Sequence, residues 1–213
     1  MALTPAMPRS PMDFRLLGPV SVDVDGAAVS VGGPRQMAVL ARLMLTPDQV
    51  VTMDQMVDSV WGGDEPTQPH VAIRSYVSNL RRAIEPNRPR RASESCLSSS
   101  ASGYRLAIDP MMVDWVRFER WIGESRQAVA VGDHCAAIER LRMADELWKG
   151  EPCSGLPASQ VFLTHASRMT MLRETAVELL FEVSLERGDT PFVLDGIEAV
   201  SYTHLTLPTT PYV

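Results

Sequence analysis

Cysteine is scarce. Cys96, Cys135 and Cys153 are an odd number in 213 residues, at spacings that suit neither a disulfide framework nor a zinc site. That excludes a small disulfide-stapled fold and points to reduced thiols in a cytoplasmic protein. Histidine is equally thin: His70, His134, His165 and His204 are scattered, and none has a Cys or Glu partner at metal-ligand spacing. No P-loop and no dinucleotide fingerprint occurs, so the chain offers no catalytic residues, no metal site and no cofactor site, and an enzyme is not expected. Long apolar runs are missing too. None approaches the roughly 18 residues a membrane helix needs, and residues 1–12 carry three prolines and an arginine without the apolar core of a secretory signal. Lysine is almost absent: of twenty cationic side chains only Lys149 is not arginine. A GC-rich genome accounts for such a bias as a whole, yet each arginine still brings a planar fork suited to phosphate and guanine.

Apolar residues make up 45% of the chain and charged residues 22%, enough to bury a sizeable core. The net charge of −6 is an average over two unlike halves. Residues 1–110 hold eleven basic and eleven acidic side chains, so the surplus of acid lies entirely in residues 111–213. Within the first half, residues 68–105 carry seven arginines against Glu85 and Glu94, a local charge of +5. Cations are therefore concentrated where a polyanion could meet them.

The pattern along the chain supports two domains. Residues 1–12 read as a disordered N-terminus. From Phe14, alternating apolar residues and the Asp25-Gly26 dipeptide predict short strands and a hairpin through Val22, Val24, Val29 and Val31. Gly32-Gly33-Pro34 ends the sheet and starts a helix carrying Met37, Leu40, Ala41, Met44 and Leu45. Thr52 suits the cap of a second helix, which runs through Met53, Met56, Val57, Val60 and Trp61 to Gly62-Gly63. A third helix is predicted from about Pro69 to Ile84, with Ile73, Val77, Leu80 and Ile84 forming one buried stripe. The stretch 85–102, rich in Pro, Arg and Ser, reads as a loop with one poor strand, and Gly103–Ile108 as a final strand. This order predicts a winged helix-turn-helix over residues 13–110, preceded by a small antiparallel sheet. From Val113 everything reads helical: one helix from Trp115 to the Gly132-Asp133 break, a second to Trp148, a third from Phe162 to Leu185, and a short fourth near Pro191. Small alanines and Gly-Asp turns predict an all-α, tetratricopeptide-like domain over residues 111–199. The whole is mainly α with a small β component.

Five segments in this order resemble the Streptomyces antibiotic regulatory protein family. They are Phe14–Pro19, Val57–Gly62, Tyr76–Arg82, Gly103–Leu106 and Val113–Phe118. The resemblance implies an OmpR-type winged-helix DNA-binding domain joined to a bacterial transcriptional activation domain. It further implies an activator of secondary-metabolite genes that binds double-stranded DNA at direct repeats near promoters, as a side-by-side dimer, and contacts RNA polymerase.

The residues of the third helix fit that reading. A recognition helix needs one face to grip its own core and another to reach base edges. Arg74, Ser75, Ser78 and Asn79 are expected to approach bases, arginine favouring guanine and asparagine adenine. Thr67, Tyr76, Arg81 and Arg82 are expected to hold phosphates and set the register. Arg105 matches the wing arginine of the family and is expected in the minor groove. Each of these has a plainer alternative as solvated surface, and Tyr76 could equally pack beneath the wing. The neutral run Leu97–Ser102 departs from the basic or Pro-Gly wing tip of the family, which weakens the expectation of wing contacts. Arg88, Arg90 and Arg91 could compensate on the backbone. The competing functional class is a helical-repeat interaction module in which the winged helix is only scaffold; steep salt dependence of DNA affinity separates the two. At the end, residues 200–213 break the helical pattern abruptly. They resemble an in-frame sequencing adapter, so the natural chain is expected to continue past Ala199 with its activation domain incomplete here.

Overall fold

The computed structural model describes residues 12–86 and 95–188. These divide into two compact units, one of residues up to 119 together with 146–171, the other of residues 120–145 and 172 onward.

The first unit opens with an antiparallel sheet of β1 (Met12–Arg15), β2 (Ser21–Val24) and β3 (Ala27–Ala28), in that order. Asp25 and Gly26 both have positive φ, 53° and 77°, so the two-residue loop of the hairpin has the left-handed geometry that suits the twist of its strands. The second hairpin strand is shorter than the valine alternation predicts. Only Ala27 and Ala28 pair in register, although the Val29 N–H still donates to the Val22 carbonyl at 2.9 Å. Met12, the last residue of the segment expected to be disordered, is instead the first residue of β1.

Three helices follow: α1 (Pro34–Met44), α2 (Met53–Trp61) and α3 (Pro69–Ile84). Thr52 caps α2 in a reciprocal box, its hydroxyl accepting from the Gln55 N–H at 3.2 Å while the Gln55 side chain accepts from the Thr52 N–H at 3.0 Å. Gly62, with φ of 59°, closes that helix. Ile73, Val77, Leu80 and Ile84 are all buried, as their spacing predicts; Leu40, Leu43 and Met44 of α1 and Met56 of α2 are buried too, and α1 and α2 both pack on α3.

One strand was not foreseen. β4 (Val50–Thr52) lies between α1 and α2 and pairs with β6 (Gly103–Leu106), which also pairs with β5 (Leu97–Ser99), giving the order β4-β6-β5. The predicted order of strands, three helices and a hairpin is therefore corrected to include a strand that makes the wing a three-stranded sheet. Three residues that lead straight into a capped helix carry no period of their own, which is why the alternation does not reveal it. Gly103 makes the pairing possible: a Cβ there would sit 2.0 Å from the Val51 carbonyl oxygen.

A 3₁₀ turn (Pro110–Met112) then leads into α4 (Asp114–Ala130), and here the first unit is tied together. Phe14 bridges to Val113 in parallel. The buried Asp114 carboxylate accepts from the N–H groups of Leu16 (2.8 Å), Leu17 (3.0 Å) and Trp115 (2.6 Å). The opposite edge of the same segment is held by the Lys149 N–H on the Leu17 carbonyl (2.7 Å) and the Cys153 N–H on the Leu16 carbonyl (2.8 Å). Phe118 stacks on Trp115 and meets Trp148 edge-on, closing the apolar side. Burial pushes the Asp114 carboxyl up to about 6, outweighing the three N–H donors and nearby Arg117, and burial beside Asp114 pushes the Cys153 thiol up to about 12.

The second unit is helical. It comprises the later part of α4, α5 (His134–Glu146) and the later part of α6 (Gln160–Glu186). The turn at Gly132 takes a positive φ of 77°, and the Asp133 carboxylate accepts from the Ala136 N–H at 3.0 Å, starting α5. Ile122, Ala137, Leu141, Ala144, Leu180 and Val183 are buried. Glu124 accepts ion pairs from Arg120 and Arg140, and Arg173 pairs with Asp145 at 2.9 Å. These helices match the predicted ones within two residues at the outer ends of α6. The expected fourth helix near Pro191, the tail from residue 200 and the arginines at 88, 90 and 91 lie outside the described residues.

Asp114→Ala is expected to lower stability by about 2–4 kcal/mol, since three N–H donors in an interior site lose their acceptor; urea unfolding measures it. The sign of the pH effect follows from the raised carboxyl. Unfolded, the group sits near 3.8; folded, near 6, so the folded state holds an extra proton in between. Its contribution is full below about pH 4 and declines as pH rises to about 6. The urea midpoint of the natural chain relative to Asp114→Asn should therefore fall across that window and level off above it. A difference that stays constant from pH 4 to 6 would contradict the raised value.

Candidate nucleic-acid interface

Sixteen residues make α3, and none of them is acidic. The buried stripe fixes the rotation of the helix, so the side chains about half a turn away must face outward. Arg74, Ser75, Ser78 and Arg82 are exposed. Among the described residues Arg74, Ser75 and Ser78 make no side-chain hydrogen bond or ion pair, so their polar groups are available to a ligand. Val71 lies on the same face, at i−3 and i−4 from Arg74 and Ser75, and is 55% exposed. Sequence reading passed over it because an apolar residue off the stripe reads as incidental; its 71–74–75–78 spacing was the usable signal.

The other expected contacts are placed differently from one another. Thr67 is exposed in the loop before α3. Tyr76 is half-buried and stacks on Trp61, with ring centroids 6.4 Å apart, so its ring packs on α2. Arg81 turns toward the wing: its Nε donates to the Leu97 carbonyl and its Nη2 to the Ser99 hydroxyl, both at 2.8 Å, and the guanidinium lies over the Tyr104 ring. Asn79 is half-buried, with its amide donating to Gln36 Oε1 at 3.3 Å and accepting from Arg82 Nη2. Arg105 projects from β6 beside Ser98 and Asp48, at 3.4 Å and 3.5 Å. Contacts that long on exposed groups hold a guanidinium weakly. The structure thus brings Arg74, Ser75, Ser78 and Arg82 together on one open face, whereas the donors of Arg81 are directed at the wing.

A shallow open cleft of about 370 Å³ lies beside α3, lined by Gly33, Pro34, Arg35, Gln36, Tyr76 and Pro157. Arg35 is exposed in the first turn of α1 and makes no hydrogen bond or ion pair among the described residues. Neither Arg35 nor Gln36 was singled out from the sequence, since only folding sets α1 against α3. Among the described residues no group of acidic, Cys and His side chains could hold a metal, and no helix is long and apolar enough to cross a membrane.

Residues 29–106 match the family described as "Transcriptional regulatory protein, C terminal", and residues 113–204 match the bacterial transcriptional activator domain. The regulatory protein AfsR of Streptomyces coelicolor is 29% identical over 90% of this chain, which spans 18% of AfsR. The regulatory protein DnrI of Streptomyces peucetius is 26% identical, with 91% of this chain and 72% of DnrI covered. Mycobacterium tuberculosis EmbR, solved in complex with a low-affinity phosphopeptide, superimposes with a TM-score of 0.84 at 29% identity, over 92% of this chain and 51% of that one. The chain thus spans about a fifth of AfsR and about half of EmbR. The two matches in this order, a regulatory C-terminal domain whose third helix has an acid-free outer face and then an activator domain, are the domains of a transcriptional regulator. More narrowly, the two domains together with AfsR and DnrI among the relatives indicate a regulator of the Streptomyces antibiotic regulatory protein type.

Arg81→Ala should loosen the wing by about 1–2 kcal/mol, the worth of its charged hydrogen bonds. Native-state amide exchange should quicken at Leu97–Ser99 while α1 stays protected; uniform acceleration through both would show a global rather than a local role.

Proposed function

We propose that α3 enters the major groove, with Arg74 reading guanine and Ser75 and Ser78 admitting the helix close to the base edges. Val71 supplies an apolar contact for a thymine methyl. Arg82, Arg35, Thr67 and the Tyr76 hydroxyl hold phosphates, Arg81 braces the wing, and Arg105 reaches the minor groove once its weak pairing with Asp48 opens. On this reading the chain works in the cytoplasm. It binds direct repeats near promoters as a side-by-side dimer, contacts RNA polymerase, and activates secondary-metabolite genes. The observation that carries it is the outer face of α3, cationic, without one carboxylate, and with three polar side chains that have no partner among the described residues. The family supports the same assignment.

Selection of bound duplexes from random DNA by the full chain tests it, the expected product being a direct repeat at one-turn spacing. Arg74→Ala should relax preference at one base pair by about 1–3 kcal/mol. Arg82→Ala should weaken binding to all sequences and reduce the salt slope by about one. Selection that recovers no common sequence, with affinity indifferent to salt, would sink the proposal.

A further inference from the structure

Resting on the DNA-binding reading above, we propose that Gln36 and Asn79 form a positioning chain that holds the Arg82 guanidinium ready for DNA. Asn79 is then a positioning residue and not a reader of adenine. The chain starts at the buried Val31, whose carbonyl can only accept. Gln36 Nε2 donates to it at 2.8 Å. That leaves Gln36 Oε1 facing α3, where it accepts from Asn79 Nδ2 at 3.3 Å. Asn79 Oδ1 is left facing Arg82, and accepts from its Nη2. A guanidinium can only donate. With an obligatory acceptor at one end and an obligatory donor at the other, both amides have a single workable orientation. Turning either one over would set oxygen against oxygen or N–H against N–H.

Two further details fit. Gly32 has φ of +89°, and a Cβ there would sit 2.8 Å from Gln36 Nε2, so the glycine clears the space in which Gln36 folds back onto Val31. Bidentate contact with adenine needs the oxygen and the N–H of one amide edge together. In Asn79 the two ends are instead shared between α1 and Arg82. Arg82 is exposed, and an exposed arginine has much rotamer freedom to lose when it binds a phosphate. Holding the head group beforehand removes part of that cost.

The experiment uses the full chain and a duplex that the chain itself selects from random DNA. Affinity is measured for the chain, Asn79→Ala, Gln36→Met, Arg82→Ala and the Asn79→Ala/Arg82→Ala double variant, each also against duplexes changed at single base pairs. Asn79→Ala and Gln36→Met should each weaken binding about three- to tenfold, the effect of ordering one long side chain. The ranking of base pairs should not change, and Asn79→Ala should cost almost nothing once Arg82 is alanine. A changed preference at one base pair in Asn79→Ala would overturn the proposal. So would an equal loss in the Arg82→Ala background, or no loss in either single variant. Gln36→Met provides a second route to the same result, because it breaks the chain from α1 without touching α3. If the unaltered chain selects no sequence, it is the DNA-binding reading that fails, and that is seen before any variant is made.

Discussion

The first unit depends on one buried carboxylate. Asp114 gathers the N–H groups of Leu16, Leu17 and Trp115, and so fixes the end of β1 against the first turn of α4. A peptide segment running through an interior must satisfy its donors and acceptors there. The carboxylate serves the donors on one edge, while Lys149 and Cys153 serve the carbonyls on the other. The charge is costly to bury, which is why the carboxyl is pushed up to about 6, yet leaving three N–H groups without an acceptor would cost more. Arg117 on Asp13 adds a second tie at the same junction.

The same economy governs the candidate interface. α3 spends one face on Ile73, Val77, Leu80 and Ile84, and this burial sets the rotation that presents Val71, Arg74, Ser75 and Ser78 outward. Its last turn carries two adjacent arginines with different surroundings. The guanidinium of Arg81 is directed at the Leu97 carbonyl, the Ser99 hydroxyl and the Tyr104 ring, and couples the helix to the wing. Arg82 stays exposed beside Asn79. Neighbouring positions on a helix point about 100° apart, so identical residues acquire different work.

Much of this was legible in advance. The Asp25-Gly26 hairpin, the Thr52 cap, the Gly62 stop and the limits of α3 all follow from local chemistry: positive φ, a hydroxyl acceptor, an apolar period. β4 was not legible, because three residues hold no period and its partner Gly103 lies fifty residues on. Gln36 was not legible either. Nothing near it in sequence marks it, and it matters only because α1 packs on α3.

The sequence by itself determined the class of fold, the face that α3 buries and the concentration of arginine between residues 68 and 105. Those properties are local and periodic, and each can be read within a few turns. Which arginine braces the wing, which amide end of Asn79 points where, and which carboxylate secures the start of α4 were decided only by tertiary structure. Each depends on a partner at a distance, Leu97 for Arg81, Gln36 for Asn79 and Leu16 for Asp114, and a hydrogen bond exists only where folding brings donor and acceptor within about 3 Å.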